Sequence, residues 1–133
     1  MVFFQLVHFN NNSSPKEIGY FSSLSHIQNA KNILNDNPGF STNRDGYIVI
    51  RRSNPNVIIG KPFYESLIYY HSEDYSVEYS TTLGFFNNIN HAQKAIKDYR
   101  ELNPSDSPEM ICELIVNKCI LNEVMWTQGF ISE

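Results

Sequence analysis

Residues 18–30, IGYFSSLSHIQNA, return at residues 83–95 as LGFFNNINHAQKA. The offset is 65 with no gap, and five positions are identical: Gly19/Gly84, Phe21/Phe86, His26/His91, Gln28/Gln93 and Ala30/Ala95. Ile18/Leu83, Tyr20/Phe85 and Leu24/Ile89 exchange like for like. Self-similarity at a fixed offset reports architecture before activity. Each copy reads as a strand end that passes through a glycine into a capped helix. In the first copy Ser22 and Ser23 offer N-caps, with Ser25 and Gln28 as an alternative capping box. Ile27, Ala30, Ile33 and Leu34 then share one helical face. In the second, Asn87, Asn88 or the Asn90/Gln93 pair caps a helix that buries Ala92, Ala95, Ile96, Tyr99 and Leu102.

Working outward, residues 3–9 form a strand rich in Phe and Val, followed by a turn-prone cluster over 10–15 and a returning arm at 17–21. The first helix ends near residues 35–37, before Pro38 and Gly39. Asp45 and Gly46 make a turn into a strand at 47–52. Residues 53–62 hold two prolines and a glycine and read as the linker. The order repeats: a strand at 66–71, its returning arm at 77–86, a helix reaching about 102 and stopped by Pro104 and Pro108. The strand at 110–120 is the most continuously apolar and is expected at a sheet centre. Residues 121–130 are a tail with the only tryptophan, Trp126. Two helices cannot cover both faces of a sheet of six strand segments. The predicted class is therefore α+β: pseudo-duplicated ββαβ units in a ferredoxin-like antiparallel sheet with two helices on one face. The expected organisation is one domain, 1–133, made of pseudo-repeats 1–52 and 63–133.

The 133 residues include nine Phe, eight Tyr and one Trp, enough apolar material for a core of ordinary domain size. No apolar run reaches the roughly 20 residues of a membrane helix, and the N-terminal stretch lacks the features of a signal peptide. Cys112 and Cys119 lie seven apart, which on one strand turns them to opposite faces, so a reduced, cytoplasmic setting is expected. Net charge is −4, unevenly spread: residues 1–60 carry five Lys/Arg and three Asp/Glu, residues 61–133 five and eleven. Such an acidic half would repel nucleic acid, and no membrane partner is expected either.

The four histidines pair as His26 with His91 and His8 with His71, the latter two closing the first strand of each copy. No close carboxylate or Cys companions accompany them, so no metal site is expected. His26 is read as packing at a helix–sheet border. Gly19 and Gly84 fit a bulge or a close helix–strand contact rather than a phosphate loop. Glu73, Asp74 and Glu78 lack apolar shielding and so keep ordinary carboxylate behaviour. No catalytic motif and no cofactor motif is present, and the expectation is a protein that is not an enzyme. Tyr64, Tyr69, Tyr70, Tyr75 and Tyr79 interleave with the acids. Such a stretch suits either an interface or a sheet face with aromatic cross-strand pairs.

Pro38-Gly39-Phe40, then Asp45-Gly46-Tyr47, then Trp126-Thr127-Gln128-Gly129-Phe130 join Ile18-Gly19-Tyr20-Phe21-Ser22-Ser23 in a wider pattern. Together they resemble a family of short, uncharacterised bacterial proteins with a GVYSS-like strand end, PGF, DGF/DGY and a closing WTEGF. The second copy lacks the PGF…DGY segment, and Cys112, Asn117 and Cys119 stand where that family has acidic residues. The resemblance implies architecture and a bacterial source, and carries no activity with it. The functional expectation is a non-catalytic, protein-binding domain of the immunity or antitoxin type that neutralises a basic toxin. Its partner-binding residues would be Tyr69, Tyr70, Glu73, Asp74, Tyr75 and Glu78. The alternative is a small-molecule-sensing or regulatory domain with a cleft between the halves, near His26 and His91. The sequence leaves the oligomeric state open.

Overall fold

A computed structural model describes residues 1–10, 13–37, 40, 46–103 and 111–125. Pro38, Gly39, Asp45, Pro104, Pro108, Met110 and the Trp126–Phe130 motif, which figured in the expectations above, lie outside the described residues. The chain is α+β and divides into two compact units, one of residues 1–61 with the chain end from 120, the other of residues 62–119. The expected second repeat ran to 133, but residues 120–125 belong with the first unit.

In the first unit β1 (Val2–Asn10) pairs antiparallel with both β2 (Ser13–Phe21) and β3 (Tyr47–Ser53), giving the order β2-β1-β3. Helix α1 (Leu24–Leu34) links the two parallel outer strands, so β2–α1–β3 is a split crossover around β1. Ser23 caps the helix, its side chain accepting from the His26 N–H. The ladder sets Leu6 opposite Gly19 but Val7 opposite Glu17, so Ile18 is the extra residue of a bulge. That bulge turns Ile18 into a core with Leu6, Phe21, Ile27, Ala30, Leu34 and Phe40. His8 is fully buried among rings, 4.7 Å from Phe40 and 4.8 Å from Tyr47. Ile33, expected in the core, is exposed.

The tail then closes the outer edge of β2. Asn122 N–H donates to Tyr20 O at 2.8 Å and Met125 N–H to Ile18 O at 2.6 Å. The Asn122 side chain accepts from Ser22 N–H at 2.9 Å, and Leu121 is buried. Gly19 makes this possible. Its φ is +156°, and a Cβ there would lie 2.6 Å from the Glu123 carbonyl oxygen.

The second unit repeats the order with β4 (Phe63–His71) central between β5 (Glu78–Phe86) and β6 (Ile111–Cys119), both antiparallel to it. Helix α2 (Ile89–Leu102) again lies between the second and third strands, capped by Asn88. Ser66 faces Gly84 and Leu67 faces Thr82, so Leu83 is the extra residue, the position matching Ile18. Here the glycine has ordinary backbone, and an added Cβ would meet the Phe86 ring at 3.0 Å.

Two expectations change. The strands form two three-stranded sheets among the described residues, not one ferredoxin-like sheet, and β6 is an edge strand rather than a central one. Its apolar run is mostly half-exposed; β4, with six buried residues, holds the centre. The bulges also settle which residues correspond. Leu6 matches Ser66, so His8 matches Ile68 and is not the counterpart of His71. Leu102, expected to be buried, is 82% exposed at the end of α2.

Candidate functional site

The β4–β5 hairpin ends in a six-residue loop, 72–77, whose backbone is held from within. Ser72 N–H donates to Val77 O at 2.9 Å, and Tyr75 N–H to Ser72 O at 3.0 Å. Asp74 Oδ1 accepts from Ser76 Oγ at 2.8 Å, Ser72 Oγ at 2.9 Å and Ser76 N–H at 3.1 Å. These donors, the Ser76 hydroxyl foremost, hold the Asp74 carboxyl well below its ordinary value, at about 2. The arrangement is an Asx-type turn, which explains a Ser-x-Asp-x-Ser spacing at the loop.

Tyr75 sits at φ 60°, a left-handed conformation unusual for a bulky residue. The loop hydrogen bonds hold it there, and its ring lies flat on the His71 imidazole, 4.2 Å between centroids and 4° between planes. His71 is itself buried. Its Nδ1 lies 2.9 Å from Ser72 O, and since a carbonyl only accepts, that nitrogen carries the proton. Among the described residues Nε2 has no hydrogen-bond partner, with the Glu113 carboxylate 3.9 Å away. Glu113 stands opposite Tyr69 in the β4–β6 ladder, which brings a third strand to the same end of the sheet.

The six expected binding residues therefore divide. Glu73, Asp74 and Tyr75 are exposed on the loop. Glu78 is half-buried and accepts a hydrogen bond from the Tyr69 hydroxyl. Burial first, then that bond, pushes Tyr69 up to about 12. Tyr70 turns to the helix face, stacking on Tyr79 at 4.8 Å with its hydroxyl 2.5 Å from that of Tyr99. That bond, then burial, moves its ionisation well above the ordinary phenol range. Tyr69 and Tyr70 thus work inside the unit and brace the hairpin. Sequence reasoning missed Val77 and Glu113, and did not carry Tyr79 forward, although all three are about half exposed. Val77 and Tyr79 carry a strand-alternation signal, whereas Glu113 is recruited by the ladder register alone.

The matched histidines lead elsewhere. His26 is exposed, not packed at a helix–sheet border, and its Nδ1 lies 2.7 Å from the Ser23 hydroxyl that caps its own helix. His91, also exposed, lines an open pocket of about 280 Å³ with Phe86, Lys94, Ala95 and Asp98. Lys94 pairs with Asp98 at 2.7 Å, so the two charges there already neutralise each other. Cys112 and Cys119 lie on opposite faces of β6, opposite Tyr70 and Phe63, and are not joined in a disulfide. No helix among the described residues is long and apolar enough to cross a membrane. No protein-family profile, no curated protein and no solved structure matches this chain.

Proposed function

We propose that this is a non-catalytic protein-binding domain of the immunity or antitoxin type, and that the β4–β5 hairpin end binds a basic toxin domain. The observation that carries the reading is a pre-ordered acidic and aromatic tip. Exposed Tyr75 and Val77 share the tip with Glu73 and Asp74, Glu113 lies on the Tyr69 face of the same sheet end and Tyr79 on the Tyr70 face, and residues 65–80 contain no Lys or Arg. An ordered tip loses little conformational freedom on binding, so more of the contact energy survives as affinity. Tyr75 would be the central anchor, and the carboxylates would speed encounter with a cationic surface. Tyr69, Tyr70 and Glu78 would position the hairpin. A standard interface would bury roughly 800 Å² on each side, which requires neighbouring strand ends as well as the loop. The bacterial source and cytoplasmic setting belong to the same proposal, and so does descent of both ββαβ units from one ancestral unit, supported by their matching bulges and strand order.

The test compares wild-type protein with a Glu73→Lys/Tyr75→Ala variant as baits in extracts of the source bacterium, followed by expression of each captured partner alone. The expected partner is basic, toxic by itself, and neutralised by co-expressed wild type but not by the variant. Partners captured equally by both baits, or none that is toxic, would end the proposal. The alternative, a small-molecule sensor, has the open pocket beside His91 on its side. It requires a ligand-induced rise in Tm that His91→Ala abolishes.

A further inference from the structure

A sheet edge with free N–H and C=O groups is a template for another strand, and most proteins blunt such edges. In this chain the edges are treated differently. The tail covers β2, with Asn122 and Met125 donating to its carbonyls. β5 presents Ser80, Thr81 and Thr82, and β6 places exposed Glu113 and Lys118 along its length. Among the described residues β3 has neither device over its middle. Ile48, Val49 and Ile50 follow one another with 48%, 38% and 38% of their surface exposed, and the only charges, Arg51 and Arg52, lie at one end.

We propose that β3 is an interface between two copies of this chain, paired antiparallel about a two-fold axis at Val49. The β1–β3 ladder puts Tyr47, Val49 and Arg51 on one face, opposite His8, Leu6 and Phe4, and Ile48 and Ile50 on the other. A two-fold axis perpendicular to the sheet keeps each side chain on its own face, so only residues of like parity can oppose each other. Three centres remain within the exposed run. Centring on Ile50 sets Val49 against Arg51 and Ile48 against Arg52. Centring on Ile48 leaves Ile50 opposite Gly46. Centring on Val49 pairs Ile48 with Ile50 twice, Val49 with Val49, and Tyr47 with Arg51 twice. All three apolar positions then meet apolar partners, each Arg51 guanidinium meets a Tyr47 ring, and no like charges oppose one another in the ladder.

That self-complementarity is the reason for a second copy of β3 rather than a different strand. An isologous pair closes at two chains, whereas β3 on the β6 of another copy is heterologous and leaves open ends that propagate. A single strand pair is a small interface, so the dimer should be concentration-dependent rather than permanent.

Sedimentation velocity on the full chain over a concentration series tests this directly. Wild type should pass from monomer to dimer. Val49→Lys, which sets two ammonium groups together on the axis, should weaken the dimer by at least about tenfold, and Thr81→Lys on the β5 edge should leave it unchanged. Residues opposed across an antiparallel pair have Cα atoms about 4.5–5.5 Å apart, within disulfide reach. Val49→Cys should therefore cross-link on mild oxidation far faster than wild type, whose Cys112 and Cys119 set the background; this variant decides the matter if Val49→Lys fails to fold. Wild type that stays monomeric at high micromolar concentration, dimers equally sensitive to both lysine variants, or Val49→Cys that cross-links no faster than wild type would each overturn the proposal. A monomer that instead takes up a strand from another protein overturns it too.

Discussion

The two units share a strand order, a bulge position and a capped helix, yet they hold their helices by different means. In the first, α1 seals an apolar core: Ile27, Ala30 and Leu34 are all buried against Leu6, Ile18, Phe21 and Phe40. At the 65-residue offset those positions become Ala92, Ala95 and Tyr99, and only Ala92 is fully buried. Polar contacts replace the lost apolar volume. Ser66 Oγ donates to Ala92 O at 2.7 Å, and the Tyr99 and Tyr70 hydroxyls meet at 2.5 Å. One motif therefore supports either a greasy or a hydrogen-bonded helix seat, because cap and glycine set the geometry while the helix face sets the chemistry.

The sharpest way to break this contrast is to delete each seat. Leu34→Ala should cost about 2–5 kcal/mol, the transfer loss plus a cavity in a closed core. Tyr99→Phe should cost about 1 kcal/mol, one hydrogen bond with packing retained, and should bring Tyr70 ionisation down toward its ordinary value. Urea denaturation monitored by far-UV circular dichroism reads both costs; equal costs would show that the seats do not differ.

The glycines offer the next largest difference. Gly19→Ala must displace a backbone carbonyl and adopt a φ unfavourable for alanine, at about 1–3 kcal/mol, with faster proteolysis of the tail. Gly84→Ala meets only a ring that can swing aside, and should stay within about 1 kcal/mol. Paired melts with limited trypsin digestion would separate the two.

The smallest effects are electrostatic. Asp74 is depressed in the folded protein, so its contribution is present above the unfolded value near 4 and is lost as pH falls toward about 2. Asp74→Asn should erase that acid dependence in the exchange rates of the Ser76 and Val77 amides. At the alkaline end each unit has a tyrosine raised to about 12, Tyr47 by burial and Tyr69 by burial and the Glu78 carboxylate. Because the fold favours the neutral phenol, that stability is complete below about pH 10 and is lost as pH rises through 12. Ultraviolet titration of Glu78→Gln should lower Tyr69 and leave Tyr47 where it is.

Much of this was legible beforehand. Ser23 and Asn88 cap where hydrogen-bonding side chains precede apolar periodicity, and the hairpin arms follow from alternation and turn residues. The exposed half of the hairpin tip was legible too, since Glu73, Asp74 and Tyr75 lie together in sequence. The central strand was misjudged because the apolar run of β6 was weighed without knowing its neighbours; β4, shorter in apolar run, lies between two partners and is buried by them. His8 and His71 looked paired because both lie at or near the end of an apolar strand, but the ladders count from the bulge and place them three residues out of step.

Local chemistry, then, was written in the chain: where helices start, where a glycine interrupts a strand end, which half is acidic. Those follow from interactions within a few residues, which sequence spacing encodes directly. Tertiary structure decided the rest. It brought residues 120–125 back across about 100 positions to β2, turned Tyr69 and Tyr70 to internal use, and left β3 as the bare apolar edge. The repeated glycine holds the division in one residue type. A bulge or a close helix–strand contact was readable at both positions, but only the fold shows that Gly19 yields its side-chain space to a distant carbonyl while Gly84 yields it to the nearby Phe86 ring.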